Sequence, residues 1–374
     1  IKTDYPITTT SSTTGTTHTW TFTLTFINLS TDQSVNENAN MNIDVYLQKK
    51  AFPSTVADVC SGGETLASCV TTLKQKDALG ISNIYYHDST LANGAGDNSY
   101  RYAGASDQVN NYVCFGSTTP CQADNLYRII GVFGDKVKLI KSDYATSALL
   151  GADGDYKEKY SSASSNYKGN NLANIAGYTW NYKNNTSINN GLGSNTWSTS
   201  LLNKTNLNKN FITNIGADWA AKIDMTTWKV GGNDWLDIGA QPAKTAYQNE
   251  IVNPVTTNSA DNAKEYSAKI GLMYVSDYMY AAPQDKWTLV GYNSDASKDY
   301  RAATSVNWMY MGLYERTISR VAGGAYYVFS VNITGHVNYL SASSACGVRP
   351  VFYLTSSVNY ASGSGSSTDP ILIN

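Results

Sequence analysis

The chain has 374 residues, of which 42% are hydrophobic and only 15% are charged, and its formal net charge is −2. A neutral balance of this kind lacks the basic surface of a nucleic-acid-binding protein, so we expect no nucleic-acid partner. Its hydroxyl, amide and aromatic side chains, including 28 Tyr and 8 Trp, instead favour an extracellular protein that binds through hydrogen bonds and flat rings. Because the chain begins at Ile1, we interpret it as a mature product whose signal or anchor segment is gone.

The N-terminal segment predicts a β module over residues 1–55. Four large apolar residues alternate with threonine over 17–28: Trp20, Phe22, Leu24 and Phe26. The same period of two recurs over 41–48, so each run predicts a strand with one buried face. Two strands alone do not form a stable sheet. We therefore expect residues 1–16, the C-terminal tail or another subunit to complete this module by strand addition.

Five cysteines form two close pairs and one single residue. Cys60 and Cys69 flank one short polar loop, and Cys114 and Cys121 flank another. An oxidising compartment would close both pairs as disulfides, and the alternative is free buried thiols. The three histidines lie far from both pairs in sequence, which disfavours zinc. We expect Cys346 to be a small buried apolar residue.

Hydrophobic periodicity predicts the remaining elements. Leu66, Cys69, Val70 and Leu73 have helical spacing within 63–78, and residues 197–223 predict one or two more helices. Two β-branched runs joined by Gly134 and Asp135 predict a hairpin. Closely spaced strands are predicted over 269–281, 306–320, 325–340 and 347–354, with turns at 332–335 and 345–347. Within the last strand, the apolar residues Val348, Val351 and Phe352 predict a central position in the sheet. Pro350 predicts a bulge or the start of the strand, and Arg349 is expected to pair with a carboxylate or with backbone carbonyls.

Several ordered phrases between residues 95 and 355 resemble a group of Gram-positive gut-bacterial surface proteins whose C-terminal region has the C-type-lectin fold. The phrases are YRYAGA at 100–105, NNYVCFGS at 110–117, CQADNLYRIIGVFGDKVKLIKSDY at 121–144, KIGLMYVSDY at 269–278, NWMYMGLYERTISR at 307–320 and GVRPVFYL at 347–354. The resemblance implies an α+β chain, in which a β-sandwich-like module precedes a C-type-lectin-like domain of mixed short strands and a few helices. Its divisions would be 1–55, a helical and loop connector at 56–94, the domain at 95–355 and a tail at 356–374.

Some C-type-lectin-fold domains are variable proteins of diversity-generating retroelements, in which a tract before the last strand sets ligand specificity. The resemblance places that tract at 320–344, although its composition is also ordinary for exposed strands and turns. We expect six of its residues to be exposed and to contact ligand: Tyr326, Asn332, Thr334, His336, Asn338 and Tyr339. Nearby aromatic residues, including Trp308 and Tyr310, are expected to divide between this face and the core.

For each candidate catalytic or metal-binding motif, the sequence favours a purely structural role for the residues. There is no GxSxG or phosphate-binding loop, and His336 lies in a predicted turn. Calcium binding needs six to eight oxygen ligands, whereas Gln241 and Pro242 are followed by alanine. Asn233, Asp234 and Asp237 offer a calcium site or, alternatively, turn caps. We therefore expect no enzyme activity and no cofactor.

Two functions remain. The first is an extracellular cell-surface protein whose C-type-lectin-like domain binds a protein or glycan ligand in adhesion. The alternative is a structural subunit of an extracellular filament or pilus, assembled through the N-terminal β module. The two are compatible, because a filament can display a binding domain.

Overall fold

The computed structural model describes residues 52–117, 120–160, 164–170, 172–233, 237–254 and 264–374. The strands predicted at 17–28 and 41–48 lie outside these residues, so the β module and the filament hypothesis built on it stay predictions. Within the described ranges the chain has several antiparallel sheets and a few short helices, which confirms the α+β class. No helix in these ranges is both long enough and apolar enough to cross a membrane.

The strands and helices of the described residues are short. In chain order the strands are β1 (Ile84–His87), β2 (Ser99–Tyr102), β3 (Tyr112–Cys114), β4 (Leu126–Phe133), β5 (Lys136–Lys141), β6 (Tyr156–Lys159), β7 (Ala176–Tyr178), β8 (Thr226–Lys229), β9 (Gly232–Asn233), β10 (Glu265–Ala268), β11 (Ile270–Gly271), β12 (Glu315–Val321), β13 (Tyr327–Val331), β14 (Val337–Ser341), β15 (Val351–Tyr353), β16 (Tyr360–Ser362) and β17 (Leu372–Ile373). The α-helices are α1 (Leu66–Lys76), α2 (Ser147–Leu150), α3 (Ile212–Asn214), α4 (Ala217–Ala221), α5 (Asp237–Ala240), α6 (Ala243–Tyr247) and α7 (Val275–Tyr280). Two π-helices span Leu202–Phe211 and Gln248–Val252, and 3₁₀ turns span Val56–Asp58, Ala123–Asn125, Leu172–Asn174, Lys183–Asn185, Asn189–Gly191, Trp197–Thr199, Gln284–Lys286 and Tyr300–Ala303.

A central sheet of seven strands has the order β1-β2-β4-β5-β15-β11, with β3 added beside β4. The predicted hairpin forms its middle as β4 and β5, and Gly134 makes the connecting turn with a φ of +63°. This confirms the prediction, because a two-residue connection needs a residue that tolerates positive φ. Side chains from both strands enter the main hydrophobic core.

The C-terminal strand is central, as the sequence predicts. β15 lies between β5 and β11, and Pro350 immediately precedes it, where its missing N–H costs no ladder bond. The Arg349 guanidinium donates from Nε to Glu315 Oε1 at 2.7 Å and from Nη2 to the Met309 carbonyl at 2.7 Å. The predicted carboxylate and carbonyl partners of Arg349 are therefore both present.

A second sheet has the order β14-β13-β12-β9 and carries the tract predicted to contact ligand. β12 is buried along its whole length and pairs antiparallel with β13 and parallel with β9. The hairpin of β13 and β14 is in register from Tyr327 opposite Ser341 to Val331 opposite Val337. Three two-stranded sheets, β6–β7, β8–β10 and β16–β17, complete the described strands.

Residues 53–374 form one compact unit. Helix α1 forms as predicted, with Leu66, Cys69, Val70 and Leu73 buried, and β1 joins the central sheet through β2. At the other end, the apolar tail forms β17, which pairs with β16. The structure thus places the proposed connector at 56–94 and the proposed tail at 356–374 in the same unit as residues 95–355.

Both predicted disulfides are present. Cys60 is bonded to Cys69, and Cys114 is bonded to Cys121. The first bridge ties α1 to the loop that precedes it, and the second closes the loop after β3. Cys346 is a buried free thiol, as expected.

The strand predicted over 269–281 is wrong beyond its start, because the chain enters helix α7 after β11. All six α7 residues are buried, and a segment that is buried on every side has no hydrophobic period that separates strand from helix. Capping groups decide the outcome: Asp277 accepts the Tyr274 N–H at 2.9 Å, and Glu250 accepts the N–H groups of Val275 and Ser276 at 2.8 and 3.0 Å. Over 306–320 only the second half, in β12, is a strand.

His87, at the end of β1, is enclosed by aromatic rings. Its ring centroid lies 4.7 Å from those of Tyr280 and Trp287, and its Nδ1 accepts the Ala95 N–H at 3.1 Å. Burial lowers the pKa of His87 to about 2, and the Arg101 charge acts in the same direction. The imidazole therefore stays neutral in the folded protein at mildly acidic pH.

The first prediction concerns the buried ion pair of Arg349 and Glu315, whose side chains are 0% and 2% exposed. Arg349→Ala leaves a buried carboxylate without its cation, and we expect a loss of about 3–5 kcal/mol in the free energy of unfolding. Lys229→Ala is the matched control, because its pair with Glu265 is 38% and 55% exposed, and it should cost under about 1 kcal/mol. Urea unfolding followed by tryptophan fluorescence measures both variants, and equal losses would contradict the prediction.

The second prediction is a pH dependence that His87 causes. Below the ordinary histidine pKa of about 6.5 the unfolded chain binds a proton that the folded chain refuses, so stability falls as the pH falls. The loss should approach about 1.4 kcal/mol per pH unit between pH 6 and 4. His87→Gln should lack this component, so the wild-type minus variant difference in unfolding free energy should shrink on acidification. A difference that is constant with pH would refute the assignment.

Candidate functional site

The turn between β13 and β14 is a closed, hydrogen-bonded loop at the edge of the second sheet. The Gly335 N–H donates to the Asn332 carbonyl at 2.9 Å, and the Asn332 N–H donates to the His336 carbonyl at 2.9 Å. Gly335 has a φ of +92°, a conformation that favours glycine. The turn lies within the tract at 320–344 that is predicted to contact ligand, so the candidate site is centred on it.

Three side chains from other parts of the fold hold this turn in place. The Tyr278 hydroxyl of α7 donates to the Gly335 carbonyl at 2.6 Å. The Tyr310 hydroxyl donates to the Ile333 carbonyl, and Asn166 Nδ2 donates to the same oxygen at 3.1 Å. The turn is therefore supported on a rigid base, which suits a preorganised binding surface.

His336 is 8% exposed, so the prediction that it is exposed is wrong. Its Nε2 lies 3.2 Å from Asn332 Nδ2, and its Nδ1 lies 2.9 Å from Thr334 Oγ1. With the amide nitrogen as donor, Nε2 is assigned as the acceptor and Nδ1–H as the donor to Thr334. Burial lowers the pKa of His336, which favours this neutral form. The ring shapes the turn from within instead of meeting solvent.

A groove of about 540 Å³ opens beside the turn, within the usual size range of ligand sites. Hydroxyl, amide, aromatic and ammonium groups line it: Ser165, Asn166, Tyr167, Lys168, Thr304, Ser305, Tyr310 and Thr334. Thr334 is the turn residue that is exposed, as predicted. The lining therefore comes from three separate segments of the chain that the fold brings together.

Lys168 is the charged residue of the lining. Its Nζ donates to the Thr304 carbonyl at 3.0 Å and lies 4.8 Å from the centre of the Tyr310 ring. Partial burial lowers the pKa of Lys168. The ammonium is thus anchored on one wall while the surrounding hydroxyl and amide groups offer donors and acceptors.

The segment 164–170, which carries one wall of the groove, is held by Asp143. The Tyr167 hydroxyl lies 2.8 Å from both carboxylate oxygens of Asp143, and the Asn170 N–H donates to the same carboxylate at 3.0 Å. The Tyr167 ring also stacks on Tyr144, with 6.2 Å between centroids. These contacts fix a loop that has no regular secondary structure of its own.

The remaining predicted residues lie away from the turn. Tyr326 and Tyr339 belong to an aromatic cluster with Tyr327, whose ring lies 4.3 Å from Tyr326 and 4.8 Å from Tyr339. All three are partly exposed, as is Asn338, whose Oδ1 accepts the Tyr339 N–H at 2.7 Å. Of the six predicted residues, Asn332, Thr334 and His336 therefore belong to the turn, whereas Asn338 and Tyr339 belong to β14 and Tyr326 precedes β13 at the far end of the hairpin. Trp308 and Tyr310 are buried.

The sequence did not identify the wall formed by residues 165–168 and 304–305. One signal was present, because 150–195 is long and polar for a connection, and long loops within a compact unit are usually functional. Sequence periodicity does not predict the contact between that loop and a turn more than 160 residues later, such as the hydrogen bond from Asn166 to Ile333.

The predicted calcium site would consist of Asp234 and the side chains of Asn233 and Asp237, which lie outside the described residues, so it stays a prediction. Among described side chains, Cys60, Glu64 and Cys69 come close enough to hold a metal ion. Both of those cysteines are consumed in a disulfide, and Glu64 accepts the Gly62 N–H at 2.9 Å. This cluster is therefore a structural feature.

A second groove of about 420 Å³ lies beside β1. Its lining combines Lys74, Tyr85, Tyr86, Asp88, Thr90, Leu91, Ala92 and Gln284. No residue of the predicted tract contributes to this second groove, so it offers an internal comparison for the groove beside the turn.

No family model, curated protein or solved structure matches the chain. The resemblance to C-type-lectin-fold surface proteins therefore stays a prediction.

The third prediction tests the fit of the turn. A Cβ at Gly335 would lie 2.1 Å from Thr304 Cγ2, whereas a Cβ at Gly134 would meet no atom within 4 Å. Both residues have positive φ, so each alanine variant should lose about 1–2 kcal/mol from backbone strain. Gly335→Ala should lose about 1–3 kcal/mol more through overpacking. Urea unfolding of the two variants gives the comparison, and a Gly335→Ala loss no larger than that of Gly134→Ala would contradict it.

Proposed function

We propose that this chain is an extracellular cell-surface protein with a C-type-lectin-like domain, and that the groove beside the β13–β14 turn binds a glycan ligand in adhesion. The observation that carries the proposal is the convergence of Thr334, Tyr310 and Lys168, from three segments, on one groove of about 540 Å³. We assign the groove a binding role and no catalytic one.

The location of the groove supports the proposal. Thr334 lies in the tract 320–344, which the resemblance to C-type-lectin-fold proteins identifies as the ligand-contacting region. The turn is held by Tyr278 and Tyr310 from below, so its outer side chain is presented on a fixed backbone. Two disulfides are compatible with an extracellular location.

The chemistry of the lining favours a glycan over a protein surface. Sugar hydroxyls need both donors and acceptors, and the Ser, Thr and Asn side chains of the groove supply both. Tyr167 adds a partly exposed ring, whose amphipathic character suits contact with a sugar face. A protein-binding patch would be expected to show a larger apolar centre than this hydroxyl-rich lining offers.

The fourth prediction tests this binding with the full chain on an array of neutral and acidic oligosaccharides. Ser305→Trp fills the groove beside the turn and should weaken binding at least about tenfold, or about 1.4 kcal/mol. Ala92→Trp is the matched control, because it adds the same ring at another small exposed residue, in the second groove. It should leave the affinity unchanged.

Three results would overturn the proposal. The first is binding that Ser305→Trp leaves intact, and the second is binding that Ala92→Trp abolishes, which would assign the ligand to the second groove. The third is an array without any bound glycan together with binding to an extracellular-matrix protein that Ser305→Trp removes. That last result would replace the glycan with a protein ligand at the same groove.

A further inference from the structure

Lys138 of β5 and Asp277 of α7 meet inside the protein. Lys138 Nζ lies 2.5 Å from Asp277 Oδ2, and each side chain is 1% exposed. The two residues are 139 positions apart in sequence, so the contact joins the central sheet to the buried helix. Amine nitrogen and carboxyl carbon are thus held as near neighbours by the fold.

Aromatic rings surround the Lys138 ammonium. Its Nζ lies between 4.7 and 5.8 Å from the ring centroids of Phe133, Trp228, Tyr274 and Tyr353. Burial lowers the pKa of Lys138. Because each side chain is 1% exposed, neither ion is hydrated by bulk water, and moving one proton along the 2.5 Å contact gives a neutral amine and a neutral carboxylic acid.

The second oxygen of the carboxyl group faces a cation. Asp277 Oδ1 and Arg101 Nη1 are both buried without a hydrogen-bond partner among the described residues, and they lie 3.7 Å apart. If the amine attacks the carboxyl carbon, negative charge develops on Oδ1, where a guanidinium is already in place. Preorganised positive groups at a developing oxyanion are a general means of stabilising such an intermediate.

We propose that Lys138 and Asp277 condense into an intramolecular amide bond. The Lys138 amine attacks Asp277 Cγ, forming the C–N bond, while its proton passes to Oδ2. The Cγ–Oδ2 bond then breaks, and Oδ2 leaves as water with the protons from the amine. Oδ1 remains as the amide oxygen beside Arg101. No oxidant, reductant or other reactant takes part.

A chemically similar pair in the structure provides the comparison. Lys136, two residues earlier on β5, lies 2.6 Å from Asp224 Oδ2, but these side chains are 39% and 24% exposed. Water solvates both ions there and stabilises the ionic form over the neutral one that condensation requires. The two pairs therefore differ in burial and in aromatic surroundings while sharing residue types and distance.

The experiment is mass spectrometry of the purified, folded full chain after reduction and alkylation of its cysteines. The amide predicts a deficit of one water, about 18 Da. Trypsin does not cleave after an acylated lysine, so the digest should contain fragment 137–141 joined to fragment 270–286. Dehydration of the Asp153-Gly154 step would cost the same mass, and the joined fragment distinguishes the two.

Lys138→Arg keeps the buried positive charge but lacks the amine, so this variant should show the full mass. Lys136→Arg is the matched control and should keep both the deficit and the joined fragment. A folded wild-type chain at full mass would overturn the proposal without reference to any variant. So would a deficit that maps to residues other than Lys138 and Asp277, or one that persists in Lys138→Arg.

Discussion

Buried guanidinium groups are the constraint on which this fold depends. The chain contains six arginines. Five of them are almost completely buried: Arg101, Arg128, Arg316, Arg320 and Arg349. A guanidinium offers five N–H donors in a rigid fork, and the many loops of this protein leave backbone carbonyls that need donors. Arg316 donates to the carbonyls of Ser341 and Ser344, and Arg320 donates to that of Val230. The arginines thus fix segments that have too little regular structure to fix themselves.

The same logic explains how a chain with so few charges is organised. Arg128 donates to Asn111 Oδ1 and to the Val109 carbonyl, and it lies against the rings of Tyr112 and Trp308, 4.2 and 4.7 Å from their centroids. Its aromatic neighbours replace part of the hydration that burial removes, because ring faces attract cations. Five of the six guanidinium groups thus lie inside the protein, where Arg128 and Arg349 each join separate segments of the chain.

Local patterns predicted the elements whose neighbours in sequence decide their structure. The β4–β5 hairpin, helix α1 and the turn at 332–335 carry their own turn or cap residues, so they were predictable. Helix α7 was not, since the groups that cap its first turn include Glu250, which a sequence pattern cannot connect to it. The same distinction applies to the residues that line the groove. Thr334 was predicted because it lies in a recognisable turn, whereas the opposite wall of the groove was not predicted. The exposure of His336 was predicted wrongly because its ring folds back into the turn, where it contacts the Asn332 and Thr334 side chains.

Helix α7 joins the interior of the protein to its proposed binding surface. Asp277 contacts Lys138 of the central sheet, and the next residue, Tyr278, supports the Gly335 carbonyl in the turn. A shift of the helix would therefore move the base on which the turn stands. Because packed interiors change between discrete arrangements and resist gradual deformation, a fixed α7 implies a fixed turn. The buried pair of Lys138 and Asp277 therefore lies on the same helix as Tyr278, the residue that supports the turn beside the groove.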